Sequence, residues 1–163
     1  MSTWIEENYE DLIKIALRNR EVLFEAQSEF QKIQIVETEG LGRALLLDDM
    51  WMTAEGDEKT YHEMITHPAL ACAPSIGRVL IVGGGDGGTA REVLRHHEVD
   101  HVDMVELDGL VIEACKTHLP SIGPSWNDPR LHVHVADGIA WVKHHIGEPY
   151  DVILVDGPEP IGP

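Results

Sequence analysis

The sequence predicts an α/β protein, in which a Rossmann-like parallel sheet of the methyltransferase type follows a small antiparallel β domain. Three observations support this prediction. Between residues 79 and 155, four short apolar runs alternate with helical segments; a glycine-rich loop directly follows the first run; and residues 12–53 carry strand-like patterns. We expect the antiparallel domain to span residues 1–56 and the Rossmann-like domain residues 57–163, with its sheet truncated after the fourth strand.

The N-terminal part shows the period-two pattern of half-buried strands. Apolar residues alternate with polar ones around Ile33 and Ile35, or cluster at residues 44–47 after the turn-prone segment 40–42. We predict an antiparallel unit of about four short strands between residues 12 and 53.

The second part begins with a helix and continues with strand and helix signals in alternation. Asp57 and Glu58 supply acids for the first turn of a helix that runs through Leu70 and ends before Pro74. We then predict strands at 79–82, 102–105, 131–135 and 152–155, and helices at 89–97, 110–119 and 139–146. Right-handed crossovers would order these strands 3-2-1-4 and leave the fourth as an apolar edge. We expect a companion chain or a homo-oligomer to cover that edge, unless the chain is a fragment.

The charge balance excludes one large class of partners. The 163 residues include 12 Lys and Arg against 29 Asp and Glu, a formal net charge of −17, so nucleic acids would be repelled and cationic small molecules favoured. Cys72 and Cys115 form no C-x-x-C pair, the chain opens with acidic residues unlike a signal peptide, and no apolar run approaches about 18 residues. We expect a soluble cytoplasmic protein without membrane contact.

The glycine-rich loop points to a nucleoside site. Residues 83–88 read Gly-Gly-Gly-Asp-Gly-Gly and satisfy G-x-G-x-x-G between a predicted strand and a predicted helix, with Gly83 and Gly85 as the first two glycines. Glu106 closes the next strand, where its carboxylate can accept hydrogen bonds from ribose hydroxyls. The alternative is that the glycines only allow close contact between strand and helix.

Asp86 within this loop argues against a dinucleotide. Two like charges about 4 Å apart at an effective dielectric of about 20 repel by about 4 kcal/mol, so a pyrophosphate would be penalised and a sulfonium or an amine attracted. Asp86 could instead only cap the following helix. Asp137 and Gly138 follow the third strand, where the aspartate could accept from an adenine amino group, cap the next helix, or do both.

Asp156 and Glu159 form a carboxylate pair after the fourth strand. Their segment, residues 155–163, contains several prolines and glycines that restrict the loop at the ligand-binding edge of the sheet. An alkylammonium must lose a proton before it attacks, so one carboxylate could act as base while others hold the remaining ammonium. The alternative is an ordinary acidic turn.

These residues resemble the polyamine aminopropyltransferases, and within that family the bacterial spermidine synthases. The similarity rests on short segments in a fixed order along nearly the whole chain. They are residues 28–31 (Ser-Glu-Phe-Gln), 47–48, 57–58, 61–64 (Tyr-His-Glu-Met), 83–88, 91–96, 105–108 (Val-Glu-Leu-Asp), 128–130, 137–138 and 156–163.

The resemblance implies transfer of an aminopropyl group from decarboxylated S-adenosylmethionine to putrescine, without a metal. It makes Asp156 the proton acceptor. The implied amine-binding residues are Tyr61, His62, Asp86, Asp156 and Glu159. The implied nucleoside-binding residues are Gln31, Glu106, Asp137, Gly138 and Pro163, beside the loop residues Gly83, Gly85 and Asp86.

Two departures from the family pattern leave alternatives open. The catalytic loop reads Asp156-Gly157-Pro158-Glu159-Pro160 and lacks the hydroxyl residues that many members carry, and members are longer than this chain. An S-adenosylmethionine-dependent methyltransferase and an inactive polyamine-binding fragment or subunit are the competing interpretations. His62 and His67 lie five apart, the wrong spacing for the H-E-x-x-H zinc helix, and we expect no metal.

Overall fold

The computed structural model describes residues 3–9 and 12–157 and arranges them in two sheets. The first sheet contains β1 (Thr3–Tyr9), β2 (Ile13–Gln27), β3 (Lys32–Thr38), β4 (Gly42–Leu47) and β5 (Met50–Ala54). The remaining elements are α1 (Glu58–Cys72), β6 (Arg78–Gly83), α2 (Gly88–Leu94), β7 (His101–Glu106), α3 (Gly109–His118), β8 (Leu131–Val135), α4 (Gly138–His144) and β9 (Val152–Asp156).

The first sheet is antiparallel throughout, as predicted, in the order β1-β2-β3-β4-β5. Four of its strands, β2 to β5, lie where about four were predicted, whereas β1 precedes that range and β2, with 15 residues, is longer than the short strand expected. Residues 13–19 of β2 pair with β1 and residues 19–27 with β3, and the pairing with β3 shifts register after Asn19 and after Val22. These irregularities hide the continuity of the strand from a simple alternation pattern.

The second sheet is parallel in the order β8-β7-β6-β9, which confirms the predicted 3-2-1-4 arrangement. Its strands lie within about one residue of the predicted positions. One core cluster includes Val79, Ile81 and Met104 from this sheet and Val93 from α2. A second cluster joins the antiparallel sheet to α3, because Ile33 and Ile35 of β3 pack with Cys115 of α3.

Two helices end earlier than predicted. Helix α2 ends at Leu94 rather than at residue 97, and α4 ends at His144 rather than at residue 146. The guanidinium of Arg130 donates to the carbonyl oxygens of Leu94, His96 and Val99 at 2.8, 3.2 and 3.1 Å. This long-range donor satisfies carbonyl groups that a continuing helix would need, and it explains the early end of α2.

Strand β9 lies at the edge of the parallel sheet. It pairs with β6 on one side, and no strand among the described residues pairs with its other side. Ile153 and Val155 on β9 are 50% and 67% exposed, so the edge carries apolar side chains in contact with solvent. In the part of the chain that the structure describes, no helix has the length and apolar character needed to cross a bilayer.

A buried carboxylate on β7 links β8 to the segment that precedes β9. Asp103 on β7 is 7% exposed and lies 2.8 Å from His101 Nε2, 2.7 Å from His134 Nε2 and 2.8 Å from the Tyr150 hydroxyl, which donates to it. Burial by itself would raise the pKa of Asp103, but these hydrogen bonds hold it below its usual value. Asp103 therefore contributes to stability in its ionised form.

Replacing Asp103 by asparagine should destabilise the protein by about 2 kcal/mol at pH 7, because the hydrogen bonds to a charged acceptor are lost. A lowered folded-state pKa means that this contribution is complete above the unfolded pKa of about 4 and is lost as the pH falls through the lower folded value. Urea unfolding between pH 7 and pH 3 should show a flatter acid limb for D103N than for the parent. The exposed Asp100→Asn is the matched control, and equal stability of D103N and parent at pH 7 would contradict the assignment.

Candidate active site

The carboxyl ends of β6 and β9 frame the crevice where open α/β sheets bind ligands. The loop after β6 lies directly on the end of β9, since the Gly84 N–H donates to the carbonyl oxygen of Asp156 at 2.8 Å. Gly83 has a φ of +86°, and a Cβ there would lie 2.0 Å from the same carbonyl oxygen. The first glycine of the loop is therefore required by backbone geometry, whatever ligand the loop holds.

A cavity of about 430 Å³ opens at this crevice. Nine residues predicted from the sequence as site residues line it: Gln31, Tyr61, Gly83, Gly85, Asp86, Glu106, Asp137, Gly138 and Asp156. His62 does not line the cavity but lies beside Asp86. Glu159 and Pro163 lie outside the described residues. The structure thus brings most of the predicted residues to one place.

Glu106 lies at the end of β7 with its carboxylate facing the glycine loop. Its Oε1 accepts from the Asp108 N–H at 2.9 Å, and a Cβ at Gly85 would lie 2.9 Å from Oε2. Burial raises the pKa of Glu106, although hydrogen bonds from the backbone N–H groups of Asp108 and Gly85 offset part of the change. The carboxyl oxygens of Glu106 face the cavity, where they can accept hydrogen bonds.

Gln31 reaches the cavity from the antiparallel sheet. Its Nε2 donates to Asp108 Oδ2 at 3.1 Å, and the Ser28 hydroxyl donates to the same oxygen at 2.6 Å. Asp108 in turn caps α3, since its Oδ1 accepts from the Leu110 N–H at 3.0 Å. These contacts fix the segment 28–31 against the loop between β7 and α3.

Asp137 caps α4. Its Oδ1 accepts from the N–H groups of Ile139 and Ala140 at 2.8 and 3.2 Å. From the sequence, Asp137 could cap the helix, bind a ligand, or do both. The structure shows the capping role, which uses one of the two carboxylate oxygens. Asp137 also lines the cavity, so the two roles are compatible.

Asp86 links the glycine loop to α1. Its Oδ1 accepts from the Gly88 N–H at 2.8 Å, and its Oδ2 lies 3.3 Å from His62 Nε2. The first contact corresponds to the local helix-start role considered from the sequence. The second contact places a carboxylate, one edge of which lines the cavity, against a fully buried imidazole.

Asp156 occupies the end of β9 beside this pair. Burial raises the pKa of its carboxyl group, and the negative charge of Asp86 raises it further. The Thr89 hydroxyl, the charge of His62 and the Tyr61 hydroxyl act in the opposite direction. Asp156 is therefore a carboxylate with raised proton affinity at the wall of a cavity, which is the property a general base needs.

The ligand atoms of His62, Asp86 and Asp156 lie within 4.8 Å of one another. This spacing would suit a metal ion, but both nitrogens of His62 already face carboxylate oxygens, one of Glu58 at 2.7 Å and one of Asp86 at 3.3 Å. Although burial lowers the pKa of His62, the contacts with Asp86 and Glu58 raise it to about 9, and a ring with protons on both nitrogens has no lone pair to offer a metal. The chemistry of the donor set therefore favours a group that brings its own N–H donors.

Sequence reasoning missed several residues of the site. Leu45, Leu47 and Met52 of the antiparallel sheet line the cavity, and Thr89 contributes to the environment of Asp156. No local pattern distinguishes these residues from ordinary core positions, because each is placed by contact between segments far apart in the chain. Glu58 contacts His62, and its position four residues earlier on α1 was a signal that could have identified it.

Two family models match the chain. The model described as "Spermine/spermidine synthase domain" matches residues 58–163, and the model described as "Spermidine synthase tetramerisation domain" matches residues 3–55.

Curated and solved relatives agree with these matches. A polyamine aminopropyltransferase from Prochlorococcus marinus (strain NATL2A) is 50% identical over 163 residues, which is 99% of this chain and 56% of the relative. A spermidine synthase solved with the transition state analogue AdoDATO superposes with a TM-score of 0.93 at 38% identity, over 98% of this chain and 54% of that one. The spermidine synthase from Thermotoga maritima superposes with a TM-score of 0.91 at 38% identity, over 95% of this chain and 54% of that one. The chain therefore spans about half the length of the relatives it matches.

Proposed function

The chain belongs to the spermine/spermidine synthase family, and on this premise we propose that it transfers the aminopropyl group of decarboxylated S-adenosylmethionine to putrescine, giving spermidine and methylthioadenosine. One observation carries the proposal. Successive glycines of one loop face two different acids, since a Cβ at Gly84 would lie 3.3 Å from Asp156 Oδ2 and one at Gly85 2.9 Å from Glu106 Oε2. In this proposal, the carboxylate that binds the nucleoside and the carboxylate that binds the amine lie on either side of the same loop.

The nucleoside would lie against the glycine loop. In this proposal Glu106 accepts from the ribose hydroxyls, Asp137 and Gly138 line the adenine end, and Gln31 closes the pocket from the antiparallel sheet. The apolar side chains of Leu47 and Met52 in the cavity wall support burial of the base and the thioether. Pro163, outside the described residues, is proposed for the same half on the resemblance alone.

The amine would lie beside Asp86 and Asp156, with Tyr61 and His62 next to it. The neutral nitrogen attacks the aminopropyl carbon that is bonded to the sulfonium, the carbon–sulfur bond breaks, and its electron pair stays on sulfur. The attack gives a secondary ammonium, and Asp156 accepts the proton that this ammonium gives up. The leaving thioether is neutral and needs no acid, so positioning and loss of solvent around the amine supply most of the acceleration. Glu159, outside the described residues, is proposed as a further amine contact.

This arrangement favours the decarboxylated substrate over S-adenosylmethionine itself. The intact methionine group carries a carboxylate, which Asp86 and Asp156 would repel. A methyltransferase is therefore the weaker candidate, and a metal is not part of the proposed site.

We further propose that residues 1–56 and 57–163 are separate domains and that the protein is a homo-oligomer. Two family models with a boundary between residues 55 and 58 support the division. The description of the N-terminal model as a tetramerisation domain and the exposed apolar edge of β9 support association, with another copy or a companion chain over that edge.

Calorimetric titration with methylthioadenosine, with NAD in parallel, tests the nucleoside half directly. We expect methylthioadenosine to bind and NAD not to bind, because a pyrophosphate would meet Asp86. Glu106→Gln should weaken the binding of methylthioadenosine by about 10-fold or more, since hydrogen bonds to a charged acceptor are lost.

Glu113→Gln is the matched control, because Glu113 is a 72% exposed acid on α3 away from the cavity. Tighter binding of NAD than of methylthioadenosine, or equal loss in both variants, would contradict the proposal. Binding of the nucleoside together with putrescine but without turnover would favour the inactive-subunit alternative.

A further inference from the structure

A buried acid behind the amine pocket has no role in the proposed reaction. Glu58, the first residue of α1, is 4% exposed, although an acid at a helix start usually lies at the surface. Its carboxylate receives two hydrogen bonds from Arg91, with Nη1 at 3.0 Å from Oε1 and Nη2 at 2.8 Å from Oε2. This fork-shaped contact holds the carboxylate in one orientation and compensates its burial.

Arg91 is itself fixed on other sides. Its Nε donates to Glu92 Oε1 at 2.7 Å, and its Nη1 also donates to the carbonyl oxygen of Ile122 at 2.8 Å. Neither group leaves the guanidinium free to turn away from Glu58. The pair therefore forms a rigid support that links α1 to α2.

Glu58 also contacts His62, which lies next to it on α1. Glu58 Oε2 lies 2.7 Å from His62 Nδ1, and Asp86 Oδ2 lies 3.3 Å from His62 Nε2 on the opposite side of the ring. The ring also lies tightly on the backbone of α2, where a Cβ at Gly88 would be 2.3 Å from His62 Cε1, and the Tyr61 ring meets it edge-on. His62 therefore has one orientation available to it.

A neutral imidazole carries one N–H and one lone pair, so it could not donate to both carboxylates. Only the doubly protonated ring satisfies Glu58 and Asp86 together. Burial would lower the pKa of His62, but the hydrogen bond and charge of Asp86, the hydrogen bond of Glu58 and the charge of Asp156 raise it to about 9. Geometry and charge therefore indicate the same protonation state.

We propose that Glu58, clamped by Arg91, is a positioning residue that holds His62 as a fixed cation between Glu58 and Asp86. The cation lies against Asp86, one of the two acids proposed to hold the amine. Resting on the proposed function, this role makes Glu58 a determinant of the charge that the amine meets, because an imidazolium beside Asp86 lowers the negative charge of the amine pocket.

Nuclear magnetic resonance titration of the His62 ring tests the proposal without any ligand. In the parent protein His62 should remain doubly protonated up to about pH 9. Glu58→Gln should lower its titration midpoint by about one pH unit or more, since the carboxylate that faces Nδ1 becomes an uncharged amide. Arg91→Gln should shift the midpoint upward, because Glu58 then faces His62 without its compensating charge.

The two shifts should be opposite because Glu58 and Arg91 carry opposite charges, and the shift from E58Q should be the larger because Glu58 contacts the ring directly. Glu63→Gln is the matched control, because Glu63 is exposed on the same helix and should leave the midpoint unchanged. If Glu58→Gln does not fold, the double variant E58Q/R91Q removes both charges together, and its midpoint should also fall. An unchanged His62 midpoint in the folded Glu58 variants, or an equal shift in E63Q, would overturn the proposal.

The titration and the proposed function fail in different ways. If His62 shifts as expected but the parent binds neither methylthioadenosine nor putrescine, the positioning role stands and the proposed function fails. If both ligands bind and His62 does not shift, the function stands and the positioning role is wrong. With turnover measurable, E58Q should move the alkaline limb of the pH profile for putrescine, whereas E63Q should leave it in place.

Discussion

Asp156→Asn is expected to reduce aminopropyl transfer by about 10²- to 10⁴-fold, which is the usual contribution of a positioned general base. An amide has nearly the same shape as the carboxylate but cannot take up the proton of the attacking amine. Methylthioadenosine affinity should stay close to that of the parent, because Glu106 and the loop are untouched. The measurement pairs a transfer assay with putrescine and a calorimetric titration with the nucleoside.

Asp49→Asn is the control for this substitution, because Asp49 is an exposed acid in the turn between β4 and β5, and its positive φ of 65° is one that asparagine also adopts. Its transfer rate should match that of the parent. Equal loss of transfer and of nucleoside binding in D156N would contradict the base assignment. The raised pKa of Asp156 further predicts that the parent loses activity in acid at a higher pH than a free aspartate would require.

Gly83→Ala should be the most destabilising single substitution in the loop, at about 3 kcal/mol or more. The cost combines strain of about 1–2 kcal/mol for an L-residue in the left-handed region with a clash against the backbone of β9, which cannot move without breaking its pairing with β6. Because the clash is with the carbonyl oxygen of Asp156, the transfer rate should fall as well.

Gly40→Ala separates the two contributions. Gly40 also has a positive φ of +107°, but a Cβ there meets nothing within 4 Å, so only the strain should remain. Urea unfolding of both variants measures the difference. Equal loss of stability in G83A and G40A would show that close contact with β9 does not constrain the loop.

The strands of the parallel sheet were the part of the fold that the sequence predicted best. Each of these strands was predicted within about one residue, because short apolar runs bounded by turn residues are typical of the strands of a parallel sheet. The antiparallel sheet was predicted less well. Strand β2 presents mixed faces and register shifts along 15 residues, so its alternation is interrupted and its length could not be read from the pattern.

Helix ends depended on distant partners. Nothing near residue 95 in the sequence predicts that Arg130 supplies three hydrogen bonds to the carbonyls around the end of α2. Asp137, by contrast, caps the helix directly after it, and this local role was among those predicted. Local capping follows from the sequence because donor and acceptor are two or three residues apart.

By itself, the sequence determined the fold class, the strand order, the glycine loop with Glu106, and the acids at the strand ends, because all of these follow from short-range patterns and from right-handed crossovers. Only the tertiary structure decided that Gln31 meets Asp108 across 77 positions and that His62 stands between Glu58 and Asp86. The physical reason is that periodicity specifies which side of an element is buried, whereas contact between elements, once the two sheets and α1 pack together, specifies which buried groups meet.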